Sequence, residues 1–307
     1  MDSSEENILQ VRCNIKKKVV GQVVKGMGGI YTVKTDQGEI FKCFARGKLK
    51  RNGEIYIGDR VSVVADKEGI IEEVLPRKSM LVRPYISNIE AIVIVLAPVP
   101  KPDMLLVDKL IIGATEQGVD PIICVNKADL DGAEDVLQQV VRDYEDMADI
   151  IIISTQTGQG IDTLMDKIRG RYVCLAGQSA VGKSSLVNTI CGHQKMKVGD
   201  LSKKGERGKN TTRHVEIIEL DDGTKIADTC GFSMLEMPLV DPTSLHRYYT
   251  DFDEFAVHCK FRSCTHSDEE VCGVKTAVEQ GKLSKERYER YIRLYKDLKR
   301  RWEKRYD

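Results

Sequence analysis

Gly177-Gln178-Ser179-Ala180-Val181-Gly182-Lys183-Ser184-Ser185 fits the pattern G-x-x-x-x-G-K-[ST], a phosphate-binding loop. Residues 171–176 before it form a short apolar run that reads as a buried strand. Residues 185–190 after it read as the opening turns of a helix. Strand, loop and helix in that order are the context the motif requires. Glycines let the backbone close around a phosphate with successive N–H groups aimed at the anion. The helix N-terminus adds partial positive charge. In such a loop Lys183 reaches the β- and γ-phosphates, and the Ser184 hydroxyl holds Mg²⁺.

Outward from this loop, the chain alternates strands and helices. Strands are expected at 90–96, 121–125 and 150–153, and helices at 103–117, 132–147 and 161–169. This βαβ series predicts a parallel sheet covered by helices. Ligands of such sheets sit at the C-terminal ends of the strands. Two polar loops fall there: Asn126-Lys127-Ala128-Asp129, and Ser154-Thr155. Asn126 and Asp129 can hydrogen-bond a purine. A carboxylate accepts two bonds, matching the N1–H and 2-amino donors that guanine has and adenine lacks. Beside a phosphate loop, this loop reads as guanine recognition and argues against an ATP-using enzyme.

On the other side of the phosphate loop, residues 193–213 are basic and glycine-bearing and read as a mobile loop ending at Thr211-Thr212. Strands at 215–220 and 224–227 follow, joined by the hairpin turn Asp221-Asp222-Gly223. They lead to Asp228-Thr229-Cys230-Gly231, a D-x-x-G. Asp228 can hold Mg²⁺ through water, and the Gly231 amide can meet a γ-phosphate. Phe232 stands where many GTPases place a glutamine that orients the attacking water. Weak intrinsic hydrolysis is therefore expected, and no residue stands out as a general base.

Both ends have their own texture. Residues 11–75 hold about five short alternating strands with glycine turns, which suggests a small barrel of the five-stranded OB type. Residues 41–51 carry five bases, two phenylalanines and no acid, a composition suited to RNA. Near the other end, Cys259, Cys264, His266 and Cys272 give C-x4-C-x-H-x5-C. Four soft ligands within 14 residues suit one tetrahedral Zn²⁺ in a structural role. His258 is a rival ligand, but the adjacent Cys259 makes it sterically poorer. Residues 284–307 read as a helix with Tyr288, Tyr291, Ile292, Tyr295, Leu298 and Trp302 on one stripe. Its other faces are dense in Lys and Arg, a solvated face or one suited to a polyanion.

The 307 residues suggest two or three domains. Lys plus Arg and Asp plus Glu balance at 47 each, yet 282–307 holds eleven bases against five acids. A neutral chain can thus present a basic face to a polyanion. The acidic N-terminus lacks a signal-peptide core, and no apolar run could span a membrane, so a cytoplasmic protein is expected. The odd count of nine cysteines argues against a disulfide framework; Cys124 and Cys174 read as core residues.

The nucleotide motifs are those of a GTPase in rotated order, a circular permutation. With the barrel before them and the Cys/His cluster after, the chain resembles the bacterial ribosome small-subunit-dependent GTPase A family over nearly its whole length. The resemblance implies a multidomain α/β protein: an OB barrel at 1–76, a permuted GTPase domain at 77–237, and a small zinc-binding helical domain at 238–307. It implies GTP binding by residues 126–129, 154–155 and 177–185 and by Gly231, with Mg²⁺ at Ser184, Thr212 and Asp228. Thr212 is preferred to Thr211 because it directly precedes Arg213. It further implies a slow, monomeric GTPase stimulated by the small ribosomal subunit, acting late in that subunit's maturation on its rRNA, with GTP and GDP as ligands and other assembly factors as further partners. Two positions depart from the family pattern: Cys230 replaces a proline, and Asn210 replaces a histidine. A non-catalytic GTP-sensing RNA-binding factor is the alternative.

Overall fold

Alternating apolar residues in the described positions between 17 and 74 form the expected strands. The structure is a computed structural model that describes residues 17–47, 49, 55–65, 68–82, 85–193, 215–229 and 237–305, with the backbone alone at 17, 193, 215, 216, 228 and 229. It divides into two units, Met1–Arg77 and Lys78–Asp307. The first holds β1 (Lys17–Met27), β2 (Ile30–Thr35), β3 (Ile40–Ala45), β4 (Arg60–Ala65) and β5 (Gly69–Val74). They pair in the order β1-β2-β3-β5-β4, and β4 returns to β1, so the barrel closes. The β3–β5 pairing is parallel and the rest antiparallel, the OB arrangement. Val23, Val33, Cys43, Val61, Val63 and Ile71 fill the interior. Asp59, fully buried, accepts from Arg77 Nε (2.7 Å) and Tyr56 N (2.8 Å), which fastens the last residues of the unit to the barrel.

Of the basic stretch expected to bind RNA, Lys42 is exposed, Phe41 packs on the barrel core, and Phe44 pairs with Ile30 on the opposite side of the strand. Residues 48 and 50–54 lie outside the described residues.

The second unit opens with a short hairpin, β6 (Met80–Leu81) and β7 (Ile86–Ser87). The strands β8 (Ala91–Leu96), β9 (Asp120–Val125), β10 (Asp149–Ile152), β11 (Tyr172–Ala176), β12 (Val215–Glu219) and β13 (Lys225–Thr229) then form a sheet in the order β10-β9-β8-β11-β13-β12. All neighbours are parallel except the β12–β13 hairpin. Helices α1 (Met104–Glu116), α2 (Ala133–Tyr144), α3 (Ile161–Ile168) and α4 (Lys183–His193) accompany it. Every residue of β8 and β11 is buried, which is why their sequences run apolar without alternation. In-register parallel pairing brings the C-terminal ends of β8, β9, β10 and β11 to one edge.

The remaining residues, 237–305, form the C-terminal module. Two 3₁₀ turns (Pro242–Tyr248 and Thr250–Phe252) lead into α5 (Asp253–Ala256), α6 (Gly273–Glu279) and α7 (Lys285–Glu303). Ser284 caps α7, its Oγ accepting from Arg287 N (3.3 Å). Most of the expected stripe faces inward: Tyr291, Tyr295 and Leu298 are buried with Leu294, Tyr249 and Phe252, Tyr288 and Ile292 pack against them, and Trp302 lies outside this cluster. Tyr291 meets Tyr249 and Phe252 edge-on, at centroid distances of 5.0 and 5.1 Å. No helix among the described residues is long and apolar enough to cross a membrane.

Two of the α7 cations depart from the expected solvent-facing surface. Arg287 is only 1% exposed. It donates to Asp251 (2.9 Å), lies 3.6 Å from Asp108, and is flanked by the rings of Tyr144 and Tyr249. Arg290 donates to Asp108 (2.7 Å) and Asp143 (2.8 Å). The unpaired cost of burying Asp108 and Asp143 makes these arginines structural. Burial pushes the Asp108 carboxyl upward, opposed by the two guanidiniums. Arg290→Met should cost about 3–5 kcal/mol, because it removes the cation that bridges two buried carboxylates and leaves Asp108 to Tyr144 and Arg287, and Asp143 to Arg142. Urea unfolding of the variant checks this.

Candidate nucleotide site and metal centre

The phosphate loop follows the buried strand β11 and opens α4. Gly177 adopts φ +129° and Gly182 φ +103°. A Cβ on Gly177 would run into the Val95 carbonyl of β8, and one on Gly182 into the Asn126 amide. Both positions therefore need glycine for backbone conformation and for close approach. Lys183 Nζ donates to Gly177 O (2.7 Å) and to Gln178 O. An ammonium has three donors, so one remains to meet a phosphate. Burial lowers the Lys183 pKa. Ser184 and Ser185 are exposed on the first turn of α4, so the Ser184 hydroxyl fits the Mg²⁺ role.

Asn126-Lys127-Ala128-Asp129 follows β9, one strand beyond β8. Asn126 is buried, and its side chain is engaged within the protein. Nδ2 donates to Val181 O (2.9 Å), and Oδ1 accepts from Thr155 N (3.2 Å). It thus ties three loops together, a role that the expected purine contact did not include. Lys127 Nζ donates to Val99 O (2.6 Å) and Ala180 O (2.9 Å), so its stem runs along the phosphate loop. Ser154 Oγ donates to Asp129 Oδ1 (2.5 Å) and accepts from Gln156 N and Thr157 N. That fixes the Asp129 carboxylate, the group expected to meet the base. Ala128 N is held by Ile153 O (3.0 Å).

The structure therefore places residues 126–129, 154–155 and 177–185 in one connected loop cluster. Thr211, Thr212, Gly231, Asn210, Cys230 and Phe232 lie outside the described residues, as does the mobile loop expected at 193–213 apart from His193, which ends α4. Asp228 pairs through its backbone with Glu216 at the end of β13. Gly182→Ala should weaken binding of a fluorescent GTP analogue at least tenfold (~1.4 kcal/mol or more), since it strains a positive φ and displaces Asn126. Equilibrium titration checks it.

The metal centre is built from a loop and a helix start. The ligand atoms of Cys259, Cys264, His266 and Cys272 all lie within 4.8 Å of one another. Cys259 Sγ is 3.8 Å from Cys272 Sγ and 3.5 Å from His266 Nδ1, which is 3.4 Å from Cys272 Sγ. Tetrahedral Zn²⁺ with Zn–S near 2.3 Å sets ligand–ligand edges of about 3.5–3.8 Å, which the edges among Cys259, His266 and Cys272 match, and Cys264 supplies the fourth soft donor. Burial and neighbouring thiols push the Cys264 thiol up to about 12, an electrostatic situation a divalent cation reverses. Burial lowers the His266 pKa, leaving a neutral ring to donate its lone pair. His258 is exposed and outside the cluster.

Supports that motif reading does not reveal surround the ligands. Gly273 N donates to Cys259 Sγ (3.3 Å), and a Cβ on Gly273 would hit the Phe255 carbonyl. Glu269 accepts from Thr265 N (2.6 Å) and Ser267 N (2.9 Å); these bonds outweigh burial and hold its carboxyl at about 2. Tyr288 OH donates to His266 O (2.8 Å) and Tyr291 OH to Thr265 O (2.5 Å), so α7 holds the ligand loop from behind.

Comparison with known proteins agrees with this geometry. Residues 74–238 match the family described as RsgA GTPase, and residues 20–71 match the RsgA N-terminal domain. The chain is 43% identical over 289 residues to the small ribosomal subunit biogenesis GTPase RsgA of Ruminiclostridium cellulolyticum, spanning 91% of this chain and 94% of that one. It is similar to the crystal structure of YjeQ from Thermotoga maritima (TM-score 0.74, 32% identity, 92% of this chain and 99% of that one). It is also similar to that of YloQ, a circularly permuted GTPase (TM-score 0.71, 31% identity, 93% and 96%). With both family descriptions matched in order and relatives this similar over nine-tenths of its length, the chain belongs to the RsgA GTPase family.

Proposed function

We propose that this protein is a GTP hydrolase whose cycle serves maturation of the small ribosomal subunit in the cytoplasm, acting as a monomer on subunit rRNA alongside other assembly factors. The observation that carries this reading is the loop cluster in which Asp129, fixed by Ser154, stands beside the Lys183 loop. Asp129 reads the guanine edge, and the amides of 178–184 with Lys183 hold the phosphates. Ser184 would hold Mg²⁺, with Thr212 and Asp228 completing its shell; the ion neutralises phosphate charge when bound. Zn²⁺ at Cys259, Cys264, His266 and Cys272 is structural. Phe232 cannot orient water, so hydrolysis by the protein alone is slow and the subunit completes the site in trans.

The rRNA contact is assigned to the barrel and to the exposed side of α7. Arg293, Lys296, Arg300 and Lys304 follow at three- and four-residue spacing and are all exposed. Replacing Arg293, Lys296 and Arg300 together by Gln should lower the salt slope of small-subunit binding by about 2–3, near 0.9 per lost phosphate contact. The GTP-bound form docks and the GDP form leaves. Small-subunit affinity measured with GDP and with a non-hydrolysable GTP analogue tests this: tighter binding with the analogue supports it, and equal affinity sinks it.

A further inference from the structure

Helix α1 touches the nucleotide loops at one end and the zinc module along its side. At the start, Asp103 caps the helix, its Oδ1 accepting from Leu106 N (3.1 Å). The Asp103 N–H donates to Gln178 Oε1 of the phosphate loop (2.8 Å), and Gln178 Nε2 donates to Lys101 O (3.2 Å). Lys127 of the guanine loop holds the same strap at Val99 O. The strap 99–103 therefore receives bonds from both halves of the nucleotide site. Gln178 is the pivot, because its own carbonyl holds the Lys183 ammonium that meets phosphate.

Asp108, Ile112 and Glu116 lie at i, i+4 and i+8, one stripe of α1. Each meets the C-terminal module. Asp108 accepts from Arg290, Ile112 belongs to the core of Tyr249, Phe252 and Tyr291, and Glu116 accepts from Tyr248 OH. From Asp103 to Asp108 the rise is only about 7.5 Å along a helix whose interior is packed. On the far side, α7 carries Arg290 together with Tyr288 and Tyr291, which hold the carbonyls of His266 and Thr265 in the zinc loop.

We propose that α1 couples the nucleotide site to the zinc module, with Gln178 and Arg290 as positioning residues at its two ends. The inference rests on the GTP-binding reading above and names how nucleotide state reaches the surface that docks. A shift of the phosphate loop pulls on the first turn of α1, and a rigid helix carries it to Asp108 and so to α7. Coupling of this kind is reciprocal, so the zinc module also biases nucleotide affinity.

Amide hydrogen exchange of the zinc-loaded full chain tests it, with each protein held at saturating non-hydrolysable GTP analogue or GDP according to its own measured affinity. In the wild type, exchange across 264–272 and 285–295 should differ about fivefold or more between the two nucleotides. In Gln178→Ala, and separately in Arg290→Lys, which keeps the charge, that difference should fall below about twofold. The double variant should lose no more than either single one, as for two links of one chain. A nucleotide-dependent difference that survives in Gln178→Ala, or one absent from the wild type, overturns the coupling. Failure of the wild type to bind GTP would instead show in the affinity titration and overturn the parent reading.

Discussion

Asp129→Asn should convert the nucleotide preference from guanine toward xanthine. Both carboxylate oxygens at 129 are acceptors, the complement of two guanine donors. Ser154 Oγ donates to Oδ1, which orients the group without using its second lone pair. An asparagine keeps that acceptor at Oδ1 and turns the other atom into a donor. One acceptor and one donor match the N1–H and 2-oxo edge of xanthine and clash with the guanine amine. Charge-assisted hydrogen bonds contribute about 1.5–3 kcal/mol each, so GTP affinity should fall at least 100-fold (about 2.7 kcal/mol). XTP affinity should rise past it. Competition titrations with GTP, XTP and ATP check the outcome; unchanged GTP affinity would remove Asp129 from the base pocket.

Loss of the metal centre should have the largest effect on stability. Cys272 is buried, precedes α6, and faces both Cys259 and His266. Apart from one face of α7, the module around it draws its core from 3₁₀ turns and short helices, elements that do not hold themselves together. Structural zinc in small peptides contributes roughly 10–16 kcal/mol at neutral pH. Cys272→Ser, or chelation of the wild type, should therefore release 237–283 as a unit and leave the 91–176 sheet intact. Zinc content with hydrogen exchange across both regions reads this. Retained protection at 259–272 in the zinc-depleted chain would contradict a structural role.

Much of this was legible from sequence because it is local. Pro102-Asp103 before an apolar period of 3.6 marks the cap and start of α1, and the apolar runs at 91–96 and 172–176 have the texture of strands buried on both faces. The phosphate loop and the Cys/His spacing are short motifs whose chemistry demands those residues. Arg287 and Arg290 were not legible. They sit in a run of eleven bases, and their partners Asp108 and Asp143 lie 182 and 147 residues from Arg290. No window of sequence distinguishes a buried pair from a solvated charge when the pairing is that distant. The engaged amide of Asn126 is similar: its partners Val181 and Thr155 are 55 and 29 residues away.

The account as a whole stands on GTP turnover by the pure protein, alone and with purified small ribosomal subunits, with ATP as control. It predicts slow hydrolysis of GTP alone, a large rise when subunits are added, and no turnover of ATP. GTP and subunit binding without any rise in turnover would contradict it and assign the chain a sensing role instead.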